Sequence, residues 1–172
     1  MTKGYSGLNS YSSGGNNSES PISKDYISCN AAIHSNDGEF TKNSNKYISG
    51  GHGQTAIDYM DKNNIAYEIN IEYNNGVRVG NIIDSKNKLF KTGNNHTWFP
   101  KDWSIGDIRE AGEHISGYFK SQGNIKDGQH YSLMYKGVEV TVIYQKGEVS
   151  TIFPSKNQSG GRKKWLIIKW MN

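Results

Sequence analysis

The stretch YSLMYKGVEVTVIYQKGEVSTIF, residues 131–153, contains three short runs of β-branched and aromatic residues separated by two Lys-Gly pairs. Such side chains fit the pleated, half-buried surface of a strand, and glycine supplies the positive φ that tight turns need. The pattern predicts antiparallel strands over residues 131–135, 138–144 and 149–153, and residues 162–171 are predicted to add a final strand. The last third of the chain is therefore interpreted as antiparallel sheet.

Two helices are predicted ahead of this sheet, over residues 54–62 and 104–120. The second has a start signal, because Ser104 can cap it while Asp107 completes a capping box. A hairpin is predicted between the two helices, with strands over residues 65–73 and 77–83. Helices followed by antiparallel strands indicate an α+β fold, with N-terminal helices packed on antiparallel β-sheets.

The chain divides into a tail and one domain. Residues 1–25 are rich in Ser, Gly and Asn and are interpreted as a flexible linker, which leaves residues 26–172 as the domain. Residues 84–100 have no hydrophobic period and are expected to form a long functional loop. Residues 26–50 are mixed, and the apolar side chains expected to anchor them are Tyr26, Ile27, Ile33, Phe40, Tyr47 and Ile48.

Composition limits the function classes. The net charge is +4 and the pI about 9.0, a mild excess that favours a polyanionic partner without requiring one. The single cysteine, Cys29, excludes an internal disulfide, and no Cys/His cluster has structural-zinc spacing. No apolar run approaches the ~18 residues of a membrane span, and no signal peptide follows Met1. We expect a monomer that binds no membrane, metal or cofactor.

A histidine lies in a glycine-rich segment, Gly50-Gly51-His52-Gly53-Gln54. Glycines leave room for a ligand, and an imidazole transfers protons near neutral pH. The start of the helix predicted over residues 54–62 would keep the ring neutral and attract phosphate. We interpret His52 as a general base.

Thr151 and Phe153 are two residues apart on a predicted strand, so their side chains share one face. A hydroxyl beside a ring offers a nucleobase one hydrogen bond and one stacking surface, although the pair is also ordinary for a strand. Trp98 is a further candidate for contact with substrate. The alternative for Trp98 is that it packs with Trp103 in the core beneath the loop.

Several motifs occur in order between residues 50 and 154. Besides the glycine-histidine segment they are Asn75-Gly76-Val77-Arg78-Val79-Gly80-Asn81, Lys91-Thr92-Gly93, Trp98-Phe99-Pro100 with Trp103, Ala111-Gly112-Glu113 and Thr151-Ile152-Phe153-Pro154. Together they resemble the bacterial EndoU nuclease family, whose members are C-terminal domains of polymorphic and contact-dependent inhibition toxins. The resemblance implies helices packed on antiparallel sheets and metal-independent RNA cleavage that leaves a 2′,3′-cyclic phosphate. It also implies transfer RNA as a frequent substrate and an immunity protein as partner.

The resemblance also implies roles for individual residues. His52 matches the second histidine of the family, Thr151 with Phe153 the late hydroxyl-aromatic pair, and Lys91 the lysine that stabilises charge on phosphorus, with Lys88 as its alternative. His34, eighteen residues before His52, lies where the first histidine often occurs and is the first candidate for the acid. The alternative acid is His96, which stands where the family has glutamine. His114 and His130 are interpreted as surface and structural residues.

The predicted function is thus that of an endoribonuclease toxin. It is expected to be secreted or delivered from a cell surface within a larger effector, and to act in the cytoplasm of a target cell. The alternative is a non-catalytic module that binds RNA or another anion within a larger exoprotein. The lack of acidic metal-ligand clusters in the sequence argues against a metal-dependent nuclease.

Overall fold

The structure is a computed structural model that describes residues 26–42, 46–83, 93–123, 125–163 and 167–169. The helices described are α1 (Cys29–Asp37), α2 (Gln54–Lys62) and α3 (Ile105–Ser121). The strands described are β1 (Glu39–Phe40), β2 (Tyr47–Ser49), β3 (Tyr67–Tyr73), β4 (Arg78–Ile82), β5 (His96–Trp98), β6 (His130–Tyr135), β7 (Val138–Gln145), β8 (Glu148–Pro154), β9 (Arg162–Lys163) and β10 (Ile167–Lys169). The linker predicted for residues 1–25 lies outside the described residues, as do Lys88 and Lys91.

The strands form three antiparallel sheets within the described part of the chain. The strand orders are β1-β2, β10-β3-β4-β5 with β9 also on β3, and β6-β7-β8. The predicted α+β class is confirmed. The bounds of α2 match those predicted, and α3 begins with the predicted capping box between Ser104 and Asp107.

The β6-β7-β8 sheet has two chemically different faces. Alternate residues of β7 point to α3 and are buried with it in the main core, among them Val140, Val142 and Tyr144. Because the side-chain period of a strand is two, the residues between them lie on the opposite face. By register, that face includes His130, Ser132, Met134, Glu139, Thr141, Ile143, Thr151 and Phe153. Helix α3 thus covers one face, and the other carries a mixture of polar, aromatic and aliphatic side chains.

A second core joins α2 to the β10-β3-β4-β5 sheet. It is built around Trp98, whose side chain is completely buried among residues of α2, β2, β3 and β4. Trp98 belongs to β5, which lies within the segment expected to be loop. The strand is only three residues long, so it shows no alternation from which it could be predicted. None of the helices described is long and apolar enough to cross a membrane.

The segment 26–50 differs most from its prediction. It contains α1, whose buried residues are small or polar, so there is no apolar stripe to reveal a helix. Ile27 and Tyr47 are buried as expected and Phe40 is partly buried. The other three expected anchors were wrong: Tyr26, Ile33 and Ile48 are all exposed.

Candidate active site

The glycine-rich segment is bound to the end of α1. Three consecutive N–H groups, of residues 51–53, donate to three consecutive carbonyl oxygens, of residues 34–36, at 2.9, 2.6 and 3.0 Å. The carbonyls of Ser35 and Asn36 lie in the last helical turn and have no partner within the helix, so this segment satisfies them. The carbonyl of His34, which also accepts the N–H of Gly38, gains a second donor. These bonds hold the segment that contains His52 beside the end of α1 that contains His34.

Glycine at position 50 is required by this close approach. Gly50 has φ of +69°, and a Cβ there would overlap the carbonyl oxygen of His34 and lie 3.0 Å from the Cε1 and Nε2 atoms of its ring. The imidazole of His34 therefore packs directly against the Gly50 backbone. Its Nδ1 lies 3.0 Å from a carboxylate oxygen of Glu39, which orients the ring.

The ring of His52 has one fixed nitrogen and one available nitrogen. Nδ1 lies 2.7 Å from the carbonyl oxygen of Thr97, which can only accept, so Nδ1 carries the proton. The lone pair of the neutral ring is then on Nε2. Burial lowers the pKa of His52 well below its usual value, and the nearby His96 and His34 rings lower it further, against the opposing effect of the Thr97 bond. The ring is neutral, as predicted, but burial rather than the start of α2 is the leading cause.

His96 lies beneath this ring. The two imidazoles stack with centroids 4.4 Å apart and planes 5° from parallel. His96 is 4% exposed, and its Nε2 donates to the carbonyl oxygen of Gly51 at 3.0 Å. Burial lowers the pKa of His96 to about 4. A buried neutral ring whose proton is bound to the backbone is poorly placed to act as an acid, so we assign His96 a positioning role and keep His34 as the candidate acid.

The cleft lies between these rings and the open face of the β6-β7-β8 sheet. The ring of Phe153 is 5.4 Å from that of His52, centroid to centroid. The cleft has two compartments. The smaller one, about 220 Å³, is lined by His52, Thr151 and Phe153 together with Gly50 and residues of β2, β5 and β7. The structure thus brings together three of the predicted site residues, with His34 against the Gly50 end.

Helix α1 also fixes strand β8. The hydroxyl of Ser35, which is fully buried, accepts a hydrogen bond of 2.8 Å from the N–H of Ile152 and donates one of 2.7 Å to the carbonyl of Ala31. Ile152 lies between Thr151 and Phe153. The same helix therefore positions both the histidine segment and the hydroxyl-aromatic pair.

The buried side chain of Arg78 is connected to the site through hydrogen bonds, a role that the sequence analysis did not predict. Its guanidinium donates to the side-chain oxygen of Gln54 at 2.7 Å and to the carbonyl of Phe99 at 2.5 Å. The N–H of Phe99 in turn donates to the carbonyl of His52 at 2.7 Å. Burial lowers the pKa of Arg78 to about 10, so the group remains charged at neutral pH.

One prediction about a site residue needs correction. Trp98 is 0% exposed, so the prediction that it contacts substrate is wrong and the alternative of core packing holds. His130 begins β6, as predicted, but its side chain is exposed and lines a second, larger compartment of the cleft, with its ring 6.0 Å from that of Phe153. Its position at the start of a predicted strand, on the same face as Ser132, could have indicated that it lies near the cleft.

The sequence matches the family described as "Bacterial EndoU nuclease" over residues 28–156, about three quarters of the chain. The chain belongs to this family of nucleases. The match begins ahead of α1 and so includes His34, which lies outside the stretch of resemblance noted from the sequence. Comparison with curated proteins and with solved structures gave no match. Throughout the described ranges, no group of three or more His, Cys, Asp or Glu side chains is arranged to hold a metal ion.

The buried His96 predicts a pH dependence of stability. Its pKa is about 4 in the folded state and 6.5 in the unfolded state, so between these values the unfolded chain binds more protons. The contribution of His96 to the free energy of unfolding is therefore complete above pH 6.5. It decreases by about 3 kcal/mol as the pH falls towards 4. In His96→Gln the amide can keep the bond to Gly51 without titrating, and urea unfolding between pH 7 and pH 4 should show a smaller loss. An equal loss in both proteins would contradict the assignment.

Proposed function

We propose that this nuclease is a metal-independent endoribonuclease that cleaves RNA through attack of a ribose 2′-hydroxyl and leaves a 2′,3′-cyclic phosphate. One observation carries the proposal: His52 is neutral, its Nδ1–H is bound to the backbone, and its cleft also contains Thr151 and Phe153. A neutral imidazole with one available lone pair can accept a proton. A hydroxyl beside an aromatic ring can hold an unstacked base.

The proposed reaction uses three side chains. Nε2 of His52 removes the proton of the 2′-hydroxyl, whose oxygen attacks the adjacent phosphorus. The 5′-oxygen leaves with a proton from His34, and the ammonium group of Lys91 stabilises the extra negative charge on phosphorus. The phosphate itself favours the charged form of His52, so its pKa rises when substrate binds and its basicity becomes sufficient.

Membership of the family supports a biological role. We propose transfer RNA as the substrate and a cognate immunity protein as the partner that protects the producing cell. The domain would be delivered within a larger secreted or surface effector and act in the cytoplasm of the target cell. A net charge of +4 is compatible with binding a polyanion.

Incubation of the chain with total transfer RNA in EDTA tests the activity. We expect discrete fragments whose 3′ ends are cyclic phosphates, which phosphatase alone does not make ligatable but which become ligatable once acid opens the ring and phosphatase then removes the monoester. Intact RNA with reduced gel mobility would contradict the proposal and support the non-catalytic binding module instead. Cleavage seen only after addition of a divalent metal ion would contradict the metal-independent mechanism.

Lys91→Ala is expected to reduce the rate of cleavage by about 10²–10³-fold, the effect of losing one preorganised charge-stabilising group. RNA affinity, measured in the same salt, should change much less because the interaction strengthens in the transition state. Lys88→Ala is the matched control and should remain close to wild type. Equal effects of the two substitutions, or equal losses of rate and affinity in Lys91→Ala, would remove Lys91 from the proposed role.

A further inference from the structure

The cleft continues past Phe153 into the larger compartment, of about 460 Å³. His52, His96 and Phe153 line both compartments. Thr151 lines only the smaller one and Thr141 only the larger one. The cleft therefore has two places for a ligand, with His52 between them, and the mechanism above uses only one. The larger volume is within the range of about 300–1,000 Å³ that is usual for ligand pockets.

A row of three hydroxyl groups lies along the larger compartment. Oγ of Ser132 is 2.8 Å from Oγ1 of Thr141, which is 2.7 Å from Oγ of Ser155. The two bonds use two of the three hydroxyl protons, so one proton and the lone pairs at the ends of the row remain available. The row can therefore both donate to and accept from the edge of a nucleobase.

The hydroxyl row lies on the cleft face of the sheet and not on the face that packs in the hydrophobic core. Thr141 is flanked by Val140 and Val142, which are buried against α3, but its own side chain is on the opposite face. It is 4% exposed and pairs across the sheet with Ser132 on one side and Phe153 on the other. The polar row is thus at the base of the cleft, next to the ring that separates the two compartments.

The walls of the larger compartment carry groups that suit the rest of a nucleotide. The side chains of Lys156 and His130, both exposed, line it on the sheet side. Asn94 and Asn95 line it on the side of His96. A lysine ammonium group binds phosphate oxygens as a point charge, and amide groups can hydrogen-bond to base or sugar.

We propose that the larger compartment is a second nucleotide subsite, in which the row of hydroxyls of Ser132, Thr141 and Ser155 binds the edge of a base. The scissile phosphate then has one nucleotide beside Thr151 and the other nucleotide in this subsite. An endonuclease has a nucleotide on each side of the bond that it cuts, and His52 lies where the two compartments meet. The inference rests on the proposed endoribonuclease activity and assigns part of its sequence preference to Ser132, Thr141 and Ser155.

Cleavage of a random-sequence RNA pool, followed by sequencing of both flanks of each cut, tests this subsite. Thr141→Val keeps the shape of the side chain and removes the hydroxyl. We expect base preference at one flank to weaken by about 3- to 10-fold, equivalent to one neutral hydrogen bond, because the hydroxyls of Ser132 and Ser155 lose the partner that orients them. Thr151→Val, the matched substitution on the neighbouring strand, should leave that flank unchanged. Ser132→Ala should weaken the same flank as Thr141→Val.

The outcomes separate this inference from the proposed function. Unchanged preferences at both flanks in Thr141→Val and Ser132→Ala would overturn the subsite while leaving the endoribonuclease intact. The subsite would also be overturned if Thr141→Val and Ser132→Ala changed base preference only at the flank that Thr151→Val changes. Absence of cleavage by the wild-type chain would overturn both. Melting temperatures confirm folding, and if Thr141→Val fails to fold, the result for the more exposed Ser132→Ala decides.

Discussion

His52→Ala is expected to reduce RNA cleavage by about 10²–10⁴-fold, the contribution of a positioned general base. The reason is structural, because the Thr97 carbonyl binds the Nδ1 proton and leaves Nε2 as the nitrogen available in the cleft. Alanine removes both nitrogens, and the stacked ring of His96 does not take their place because its Nε2 is bound to the Gly51 carbonyl. Single-turnover cleavage of transfer RNA measures the effect.

The matched control is His114→Ala. His114 is on α3, which packs on the other face of the β6-β7-β8 sheet, and its ring contacts Tyr135 rather than the cleft. Cleavage by this variant should stay within a few-fold of wild type. His52→Ala should keep its circular dichroism spectrum and cooperative unfolding. Near-normal cleavage by folded His52→Ala would exclude the residue from the reaction.

Gly50→Ala is expected to destabilise the fold by roughly 2–5 kcal/mol, from a strained positive φ and from overpacking. The added methyl would overlap the carbonyl oxygen of His34, which also accepts the N–H of Gly51. Relief of this overlap has to move the glycine-rich segment away from α1. Such a movement separates the segment that carries His52 from His34, so the activity of the folded fraction should fall as well.

Gly147→Ala isolates the contribution of the close contact. Gly147 also has a positive φ, +78°, but a Cβ there would meet nothing within 4 Å. This variant should lose only the cost of the strained φ, about 1–2 kcal/mol, and keep its activity. Urea unfolding of both variants measures the difference. Equal losses would show that packing against His34 is unimportant.

The sequence predicted the elements whose signals are local. Helix α3 has a capping box and an apolar stripe that includes Ile108, Ala111 and Ile115. The strands of the β6-β7-β8 sheet alternate and are separated by Lys-Gly turns with positive φ. These patterns agree with the tertiary packing, so periodicity was sufficient.

The remaining features depend on contacts between distant segments. Helix α1 has no apolar stripe. Besides two buried alanines, it is held by backbone bonds to residues 51–53 and by the hydroxyl of Ser35, which accepts a hydrogen bond from a strand residue 117 positions away. The stack of His52 on His96 and the support from Arg78 join segments that are far apart in the sequence. Trp98 had two interpretations, since an aromatic residue in an aperiodic segment can pack or bind. Sequence reasoning named His52, Thr151 and Phe153 as candidates but could not show that they line one cleft.

Nitrogen-15 NMR of the imidazoles shows whether a neutral His52 presents the lone pair of Nε2 to the cleft. At pH 6 we expect an uncharged His52 ring protonated at Nδ1, with an Nε2 signal that shifts when a 2′-deoxynucleoside 3′-phosphate is added. A charged ring at that pH, or a proton on Nε2 with no response to the nucleotide, would contradict this expectation.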